Sequence, residues 1–263
     1  MSKTYKTKAI IISKKDLGEA DKLITCYSDR FGKIKLKGIG MRRQESKMAG
    51  HTEQFNLVDL EIVKGRTFDI IIGASRINDF LSLKKNLNFL AYAYYFSELI
   101  DKLCETGSHE KHLGAHEENE EIKIFNLLFE CLVELDQGPP ILDWLASYFE
   151  IKLLKILGYG PEMNVCVGCR NNFTLERNFF SGRLGGILCR QCESKDMIAS
   201  DISNEAIKAI RFLLSKNLES VKRLKISDSL ALEIKKISDY FVSFIVDREL
   251  KSRRFLGNFL APV

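Results

Sequence analysis

The chain has 263 residues, of which 45% are hydrophobic and 29% charged, and its formal net charge is +5. This composition excludes an intrinsically disordered chain, and no apolar run approaches the ~20 residues that a membrane-spanning helix needs. The basic N-terminus has no apolar signal-peptide core behind it, so the sequence predicts a cytoplasmic protein.

Charge is distributed unevenly along the chain. Residues 1–80 carry a net charge of +6, residues 81–165 a net charge of −7 and residues 166–263 a net charge of +6. Two basic ends around an acidic middle favour a polyanionic partner for the ends. Solvated surface charge is an equally simple explanation of the same pattern.

The first part of the chain has the pattern of an all-β domain. Five short runs are rich in Ile, Val, Leu and Thr: Lys6–Ser13, Lys22–Tyr27, Lys33–Ile39, Phe55–Val63 and Thr67–Ala74. Five strands of this length predict a small closed barrel, and the five-stranded OB-fold, which often binds nucleic acid, has this size. An SH3-like barrel satisfies the same pattern.

Basic side chains are concentrated on this predicted barrel. Some alternate with apolar residues along one strand and therefore share a face, whereas others lie in a Gly-bounded loop or on a tight turn. They are Lys33, Lys35 and Lys37 on the strand, Arg42, Arg43 and Lys47 in the loop, and Lys64 and Arg66 on the turn. Together they are candidates for a groove that neutralises phosphates without reading the base sequence. A solvated positive face is the alternative.

The remainder of the chain changes to helical periodicity. Apolar stripes predict helices within residues 81–158, and two more are predicted at Ser203–Lys216 and Ser229–Val246. We therefore expect an α+β protein with an OB-fold at residues 1–80 and an α-helical domain at residues 81–263. A cysteine-rich element at residues 162–198 is inserted in the helical domain.

Four of the seven cysteines have the spacing of a metal site. They are Cys166, Cys169, Cys189 and Cys192, arranged as Cys-x₂-Cys-x₁₉-Cys-x₂-Cys. Two such pairs suit tetrahedral Zn²⁺ in a zinc-ribbon-like element, and a closed shell of four thiolates leaves no open position for catalysis. The ligands alone do not distinguish zinc from an iron–sulfur cluster, whereas a redox-active pair lacks its βαβ context.

Other candidate sites are weaker. His109, His112 and His116 would share a helix face and could hold a second metal, but the flanking glycines favour a solvated loop. No phosphate-binding Gly-x₄-Gly-Lys-Ser/Thr loop, nucleophile elbow or His-Glu-x₂-His helix is present. We therefore predict no catalytic residue and no enzymatic activity.

Several segments together resemble the RecO family of bacterial recombination mediators. The similarity extends along nearly the whole chain, and the order and spacing of its parts are more specific than any one of them. The segments are 18–21 and 40–46 near the start, 91–101 in the middle, 158–161 leading into the first cysteine pair, Gly185-Gly186 leading into the second, and 250–256 near the end.

The resemblance implies functions that composition does not show. Relatives of this kind bind single- and double-stranded DNA and anneal complementary strands. With RecR, they help to load RecA on DNA coated by the single-stranded DNA-binding protein, whose acidic C-terminal tail is a further partner. Such a tail requires Lys or Arg beside an apolar pocket, and the candidates are Lys102, Lys152, Lys155 and residues 248–254. The alternatives are a zinc-containing nucleic-acid-processing enzyme and an assembly scaffold that binds no DNA.

Overall fold

The structure, a computed structural model, describes residues 4–107, 119–138, 142–172, 177–246, 250–253 and 256. The chain divides into two compact units, Met1–Pro139 with Leu250–Val263, and Pro140–Glu249. The first unit thus combines the barrel with the helices that follow it, whereas the predicted division at residue 80 separates strands from helices. None of the described helices is long and apolar enough to cross a membrane.

The first unit begins with a five-stranded closed barrel. Its strands are β1 (Thr4–Leu17), β2 (Asp21–Ser28), β3 (Gly32–Gly38), β4 (Leu57–Val63) and β5 (Asp69–Asn78), and the short helix α1 (Lys47–His51) joins β3 to β4. The strand order is β1-β2-β3-β5-β4, with β3 and β5 parallel and the other pairs antiparallel. This order confirms the predicted OB-fold, since an OB-fold closes through strands 3 and 5.

The alternation of apolar residues accounts for the barrel core. Ile34 and Leu36 of β3 point inward, and they pack with residues such as Ile24, Val58 and Ile71 from the other strands. The intervening lysines of β3 point outward, as strand geometry requires. The same alternation therefore sets both the core and the charged face.

Three helices of the first unit follow the barrel. They are α2 (Leu81–Lys85), α3 (Leu87–Leu103) and α4 (Glu120–Gln137). Asn86 begins α3, and its side chain accepts hydrogen bonds from the amides of Asn88 and Phe89. Helix α3 packs against β1, and α4 packs against β1, β2 and β3, so the helices cover part of the barrel's outer surface.

The second unit contains the remaining helices and a small sheet. Its helices are α5 (Leu142–Ile156), α6 (Asn204–Ser215), α7 (Leu218–Lys222) and α8 (Asp228–Ile245), and its strands are β6 (Asn178–Ser181), β7 (Gly186–Cys189) and β8 (Ser200–Ile202). The sheet order is β7-β6-β8. Ser203 caps α6 by accepting a hydrogen bond from the Ala206 amide. His109, His112 and His116 lie outside the described residues.

Candidate nucleic-acid interface and metal centre

One group of predicted DNA-binding cations is already paired with carboxylates. The Nζ atom of Lys37 lies 2.9 Å from Asp21, and Arg42 lies 3.5 Å from Asp16. The Gly40 amide also donates a hydrogen bond to Asp21, and together with Lys37 it holds the pKa of that carboxyl below its usual range. These pairs fix the β1–β2 loop against the segment after β3 and reduce the net charge there.

Lys33 does not offer its charge to an external partner. Only 6% of the residue is exposed, and its Nζ atom donates a 2.6 Å hydrogen bond to the main-chain oxygen of Asp101. The Asp101 carboxylate lies 3.4 Å away. Lys33 shares the outward side of β3 with Lys35 and Lys37, but the end of α3 covers it, and its ammonium group is bound within the protein.

The remaining predicted cations are free to meet a ligand. They are Lys35, Arg43, Lys47, Lys64 and Arg66, all exposed and without an ion pair to a described residue. Unpaired cations of this kind are the ones that release counterions when they meet phosphate. We call these five residues the free cations.

The closure of the barrel brings two of these segments together. Leu36 of β3 pairs with Asp69 of β5 in parallel register. Lys35 immediately precedes Leu36, and the β4–β5 turn immediately precedes Asp69, so Lys35 lies beside the turn that carries Lys64 and Arg66. The Asp69 carboxylate holds this turn, since it accepts hydrogen bonds from the Gly65 amide at 3.1 Å and from Tyr5 at 2.7 Å.

The aromatic side chains of the barrel are buried or only partly exposed. Tyr27, Phe31 and Phe55 are 2%, 9% and 1% exposed, and Tyr5 and Phe68 are only partly exposed. Within residues 4–80, therefore, no fully exposed aromatic ring is present for a base to stack on. Contacts to phosphate and sugar are what this surface offers, and such contacts position a nucleic acid without reading it.

The four clustered cysteines converge in the second unit. Their Sγ atoms all lie within 4.8 Å of one another, and those of Cys169 and Cys189 are 3.8 Å apart. A tetrahedron of thiolates at ~2.3 Å from one zinc ion has edges of about 3.8 Å. The four sulfurs therefore fit a single tetrahedral ion, whereas a multi-iron cluster spreads its thiolates over different irons.

The local fold requires a glycine between the first two cysteines. A Cβ atom on Gly168 would lie 2.9 Å from Cβ and 3.0 Å from Sγ of Cys192. The amides of Gly168 and Cys189 donate hydrogen bonds to the Cys166 sulfur at 3.4 Å and 3.3 Å. The segment of the first pair lies alongside β7, where the Val167 amide donates a hydrogen bond to the Ile187 oxygen, and β7 ends at Cys189, so the two pairs meet at the end of this strand.

The thiols of this site differ in acidity. Burial alone would raise the pKa of Cys166, but hydrogen bonds from the amides of Cys189, Cys169 and Gly168 lower it to about 6. Burial and hydrogen bonds with the other three sulfurs raise the pKa of Cys192 to about 12. A thiolate at one cysteine thus disfavours ionisation of the neighbouring thiols. A divalent cation is what would allow all four thiols to be deprotonated together. The chemistry of the donor set therefore fits a metal ion.

The first unit contains a cavity that the sequence pattern does not reveal. It has a volume of about 610 Å³ and lies between β1 and α3, with apolar walls that include Ile12, Leu90 and Tyr94. Lys251 lies on its rim, and the Ser97 hydroxyl is buried there without a hydrogen-bond partner. The cavity combines strand and helix residues distant in sequence, which periodicity alone does not place together.

Comparison with known proteins assigns both parts of the chain. The family described as Recombination protein O N terminal matches residues 1–80, and Recombination protein O C terminal matches residues 84–254. The chain belongs to the RecO family. This confirms the family resemblance, and it confirms that the chain is a recombination protein and not an enzyme.

Individual relatives match this chain over most of their length. A "DNA repair protein RecO" of Dehalococcoides mccartyi is 30% identical over 254 residues, covering 97% of this chain and 95% of the relative. The protein of the same name from Roseiflexus sp. is 34% identical over 256 residues, covering 97% and 86%. That of Clostridium kluyveri is 30% identical over 257 residues, covering 98% and 95%.

Proposed function

We propose that this RecO-family chain binds single- and double-stranded DNA through the free cations of its barrel and promotes annealing of complementary strands. The observation that supports this most directly is the grouping of Lys35 with Lys64 and Arg66 through the parallel pair of β3 and β5. Arg43 and Lys47 extend the same charged set along the segment after β3. Lys37 and Arg42 contribute less to DNA binding, because a phosphate must compete with Asp21 and Asp16 for these two cations.

The proposed annealing needs no bond chemistry. Two DNA strands repel each other as polyanions, and a basic surface that holds both backbones lowers that repulsion and raises their local concentration. Because the barrel offers phosphate contacts and no exposed ring, the bases remain available for pairing. We expect steep salt dependence, weak sequence preference and no requirement for ATP.

The direct experiment is annealing of complementary oligonucleotides over a salt series without nucleotide, with filter binding of single-stranded DNA in parallel. Changing Arg42 and Arg43 together to Ala should weaken binding and reduce the salt slope, with Arg43 responsible for most of the effect. Unchanged affinity and slope would exclude this loop from the site. A chain that binds no DNA would leave the assembly-scaffold alternative.

We propose that Cys166, Cys169, Cys189 and Cys192 hold one structural Zn²⁺. The compact arrangement of the sulfurs supports a single ion, and a closed thiolate shell supplies cross-linking of the two cysteine pairs but no site for substrate. The chain's own amides stabilise the bound form by donating to Cys166. Metal analysis of the purified protein should give one zinc and no iron or acid-labile sulfide per chain.

The family also leads us to propose protein partners. Partnership with RecR would allow RecA to load on DNA coated by the single-stranded DNA-binding protein, and this activity belongs with bacterial DNA in the cytoplasm. We assign no surface to the RecR contact. Co-purification of RecR with this chain, tested with and without DNA, would measure the interaction.

The cavity beside α3 is our candidate for the tail of the single-stranded DNA-binding protein. Its apolar walls suit apolar tail residues, and Lys251, which lines it, suits an acidic one. The Glu98 and Asp101 carboxylates also line the cavity, but Ser252 donates a hydrogen bond to Glu98, and Lys33 forms an ion pair with Asp101. Lys152 and Lys155 instead donate hydrogen bonds to the Leu214 oxygen in the second unit. A labelled tail peptide should bind saturably, and Leu90→Asp should abolish that binding. Unchanged peptide affinity in this variant would exclude the cavity.

A further inference from the structure

Two isoleucines lie in solvent on the charged side of the barrel. Ile39 follows β3 and is 52% exposed, and Ile72 lies in β5 and is 49% exposed. Side chains of this size on a barrel are normally in its core, as Ile34 and Ile71 are here. Their exposure makes both side chains available to a ligand.

Both isoleucines lie just beyond the residue pair at which β3 meets β5. Lys37 pairs with Ile70 in parallel register, and paired residues point to the same side of a sheet. Ile39 lies in the turn after β3 and Ile72 at an irregular point of β5, each two residues beyond that pair, and both side chains are exposed. The two side chains are therefore exposed at the same end of the β3–β5 junction, after Lys35 and Lys37 of β3.

A bulge in β5 is located at Ile72. The register with β4 pairs Ile62 with Ile71 and Glu61 with Gly73, which leaves Ile72 as the additional residue on its strand. Bulges of this kind redirect a side chain and locally increase strand twist. A second bulge in β5 leaves Ile77 as an additional residue in the same way, so an exposed isoleucine stands at each of the two bulges of this strand.

Cations flank Ile39 along the chain. Lys35 lies on β3 before it, and Arg43 lies in the turn that follows, where its amide donates a hydrogen bond to the Gly40 oxygen. The acid opposite the bulge, Glu61, has Lys6 as an ion-pair partner at 3.7 Å. An apolar surface bordered by unpaired positive charge matches the two parts of a single DNA strand, its unstacked bases and its phosphates.

We propose that Ile39 and Ile72 form an aliphatic platform on which the bases of single-stranded DNA rest while the free cations hold its phosphates. This inference deepens the proposed DNA binding and rests on it. An aliphatic side chain packs against a base through buried apolar area but provides no π-stacking, so it holds the base weakly. A weakly held base can leave the platform to pair with a complementary strand, which is what annealing requires.

The platform is tested by substitutions with opposite expected effects. Ile39→Ser and Ile72→Ser should each lower affinity for single-stranded DNA about fivefold by removing apolar contact, with an unchanged salt slope. Affinity for double-stranded DNA should not change, because its bases are stacked inside the duplex. Ile39→Trp should raise single-strand affinity about fivefold or more through stacking, and it should slow annealing at saturating protein.

Ile77 provides a matched control. It is an isoleucine on the same strand with 47% exposure, but it lies outside the proposed platform. Ile77→Ser and Ile77→Trp should behave as the parent chain does in both assays. The platform would be refuted if the serine variants bound single-stranded DNA as tightly as the parent, if their affinity fell equally for both kinds of DNA, or if Ile39→Trp left binding and annealing unchanged. A parent chain that bound no DNA would instead refute the proposed function itself.

Discussion

The ammonium group of Lys33 and the main-chain oxygen of Asp101 form a 2.6 Å hydrogen bond that joins β3 to the C-terminal end of α3. An isolated β2–β3–β5 surface would leave Lys33 facing solvent, in line with Lys35 and Lys37. The helix end buries it instead and converts a candidate DNA contact into a structural one. Charge at a sequence position therefore does not identify a phosphate contact until burial and partners are known.

The bond between Lys33 and Asp101 predicts that changing Lys33 lowers the stability of the protein but does not change its DNA binding. Lys33→Met should destabilise the protein by about 1–3 kcal/mol, since the Asp101 oxygen and carboxylate lose their buried donor. The salt slope of DNA binding should remain that of the parent. Lys35→Met is the matched variant, and we expect stability within about 0.5 kcal/mol of the parent but a reduced slope. Urea unfolding and filter binding measure the two properties, and a reversed pattern would contradict the assignment.

The β4–β5 turn predicts a quantitative change in salt dependence. Changing Lys64 and Arg66 together to Ala should reduce the slope of log affinity against log salt by about 1.4 for single-stranded DNA, or about 0.7 for each phosphate that is no longer neutralised. The control removes Lys6 and Lys8, which pair in register with Glu61 and Asp59 of β4. It changes net charge equally, so an equal reduction of slope in both double variants would show that binding follows net charge and not position.

The close packing around Gly168 predicts that the metal centre does not tolerate a side chain at this position. Gly168→Ala should lower zinc content, because the new methyl group would lie only 2.9 Å from the Cβ atom of Cys192 and would push that ligand away. Gly50→Ala is the control, since, among the described residues and apart from its own helix, the added Cβ would meet no atom within 4 Å. Metal analysis after dialysis against a weak chelator would compare the two. Full zinc retention in Gly168→Ala would show that the site tolerates the added methyl group.

The acidity of Cys166 predicts a pH-dependent signal in metal-free protein. Its pKa of about 6 lies below the usual thiol value, so the thiolate's stabilising hydrogen bonds are fully present above the ordinary thiol range and are lost as pH falls through 6. Thiolate absorbance near 240 nm should therefore rise by one group between about pH 5 and 7. Cys166→Ser should abolish this step, and its persistence in that variant would assign the step to another group.

Much of the architecture follows from local patterns. Alternation along residues 33–37 predicted both the barrel core and the outward lysines, and the Cys-x₂-Cys pairs predicted a four-sulfur cluster. Both signals are local, because side-chain direction and ligand spacing are set within a few residues. The burial of Cys26, Cys104 and Cys131 also agrees with their apolar surroundings in the sequence.

The remainder depends on contacts between distant residues. The pairing of Lys37 with Ile70 brings together segments that no periodicity relates, and the covering of Lys33 requires the end of α3. Asp201, two residues before the capping Ser203, is of a type that often caps helices, but it lies in β8, where its carboxylate accepts two hydrogen bonds from Arg177. A capping residue and a strand residue of the same type are indistinguishable until the strand partner is known.

The central claim is that free cations on the barrel screen two DNA strands from each other. Its most direct test is the annealing rate of complementary oligonucleotides, measured without nucleotide from low to physiological salt, for the parent chain and for the chain with Lys35, Lys64 and Arg66 changed to Ala. We predict acceleration by the parent that declines steeply with salt, and little acceleration by the variant at any salt concentration. Equal acceleration by both chains, or a parent rate independent of salt, would contradict the account.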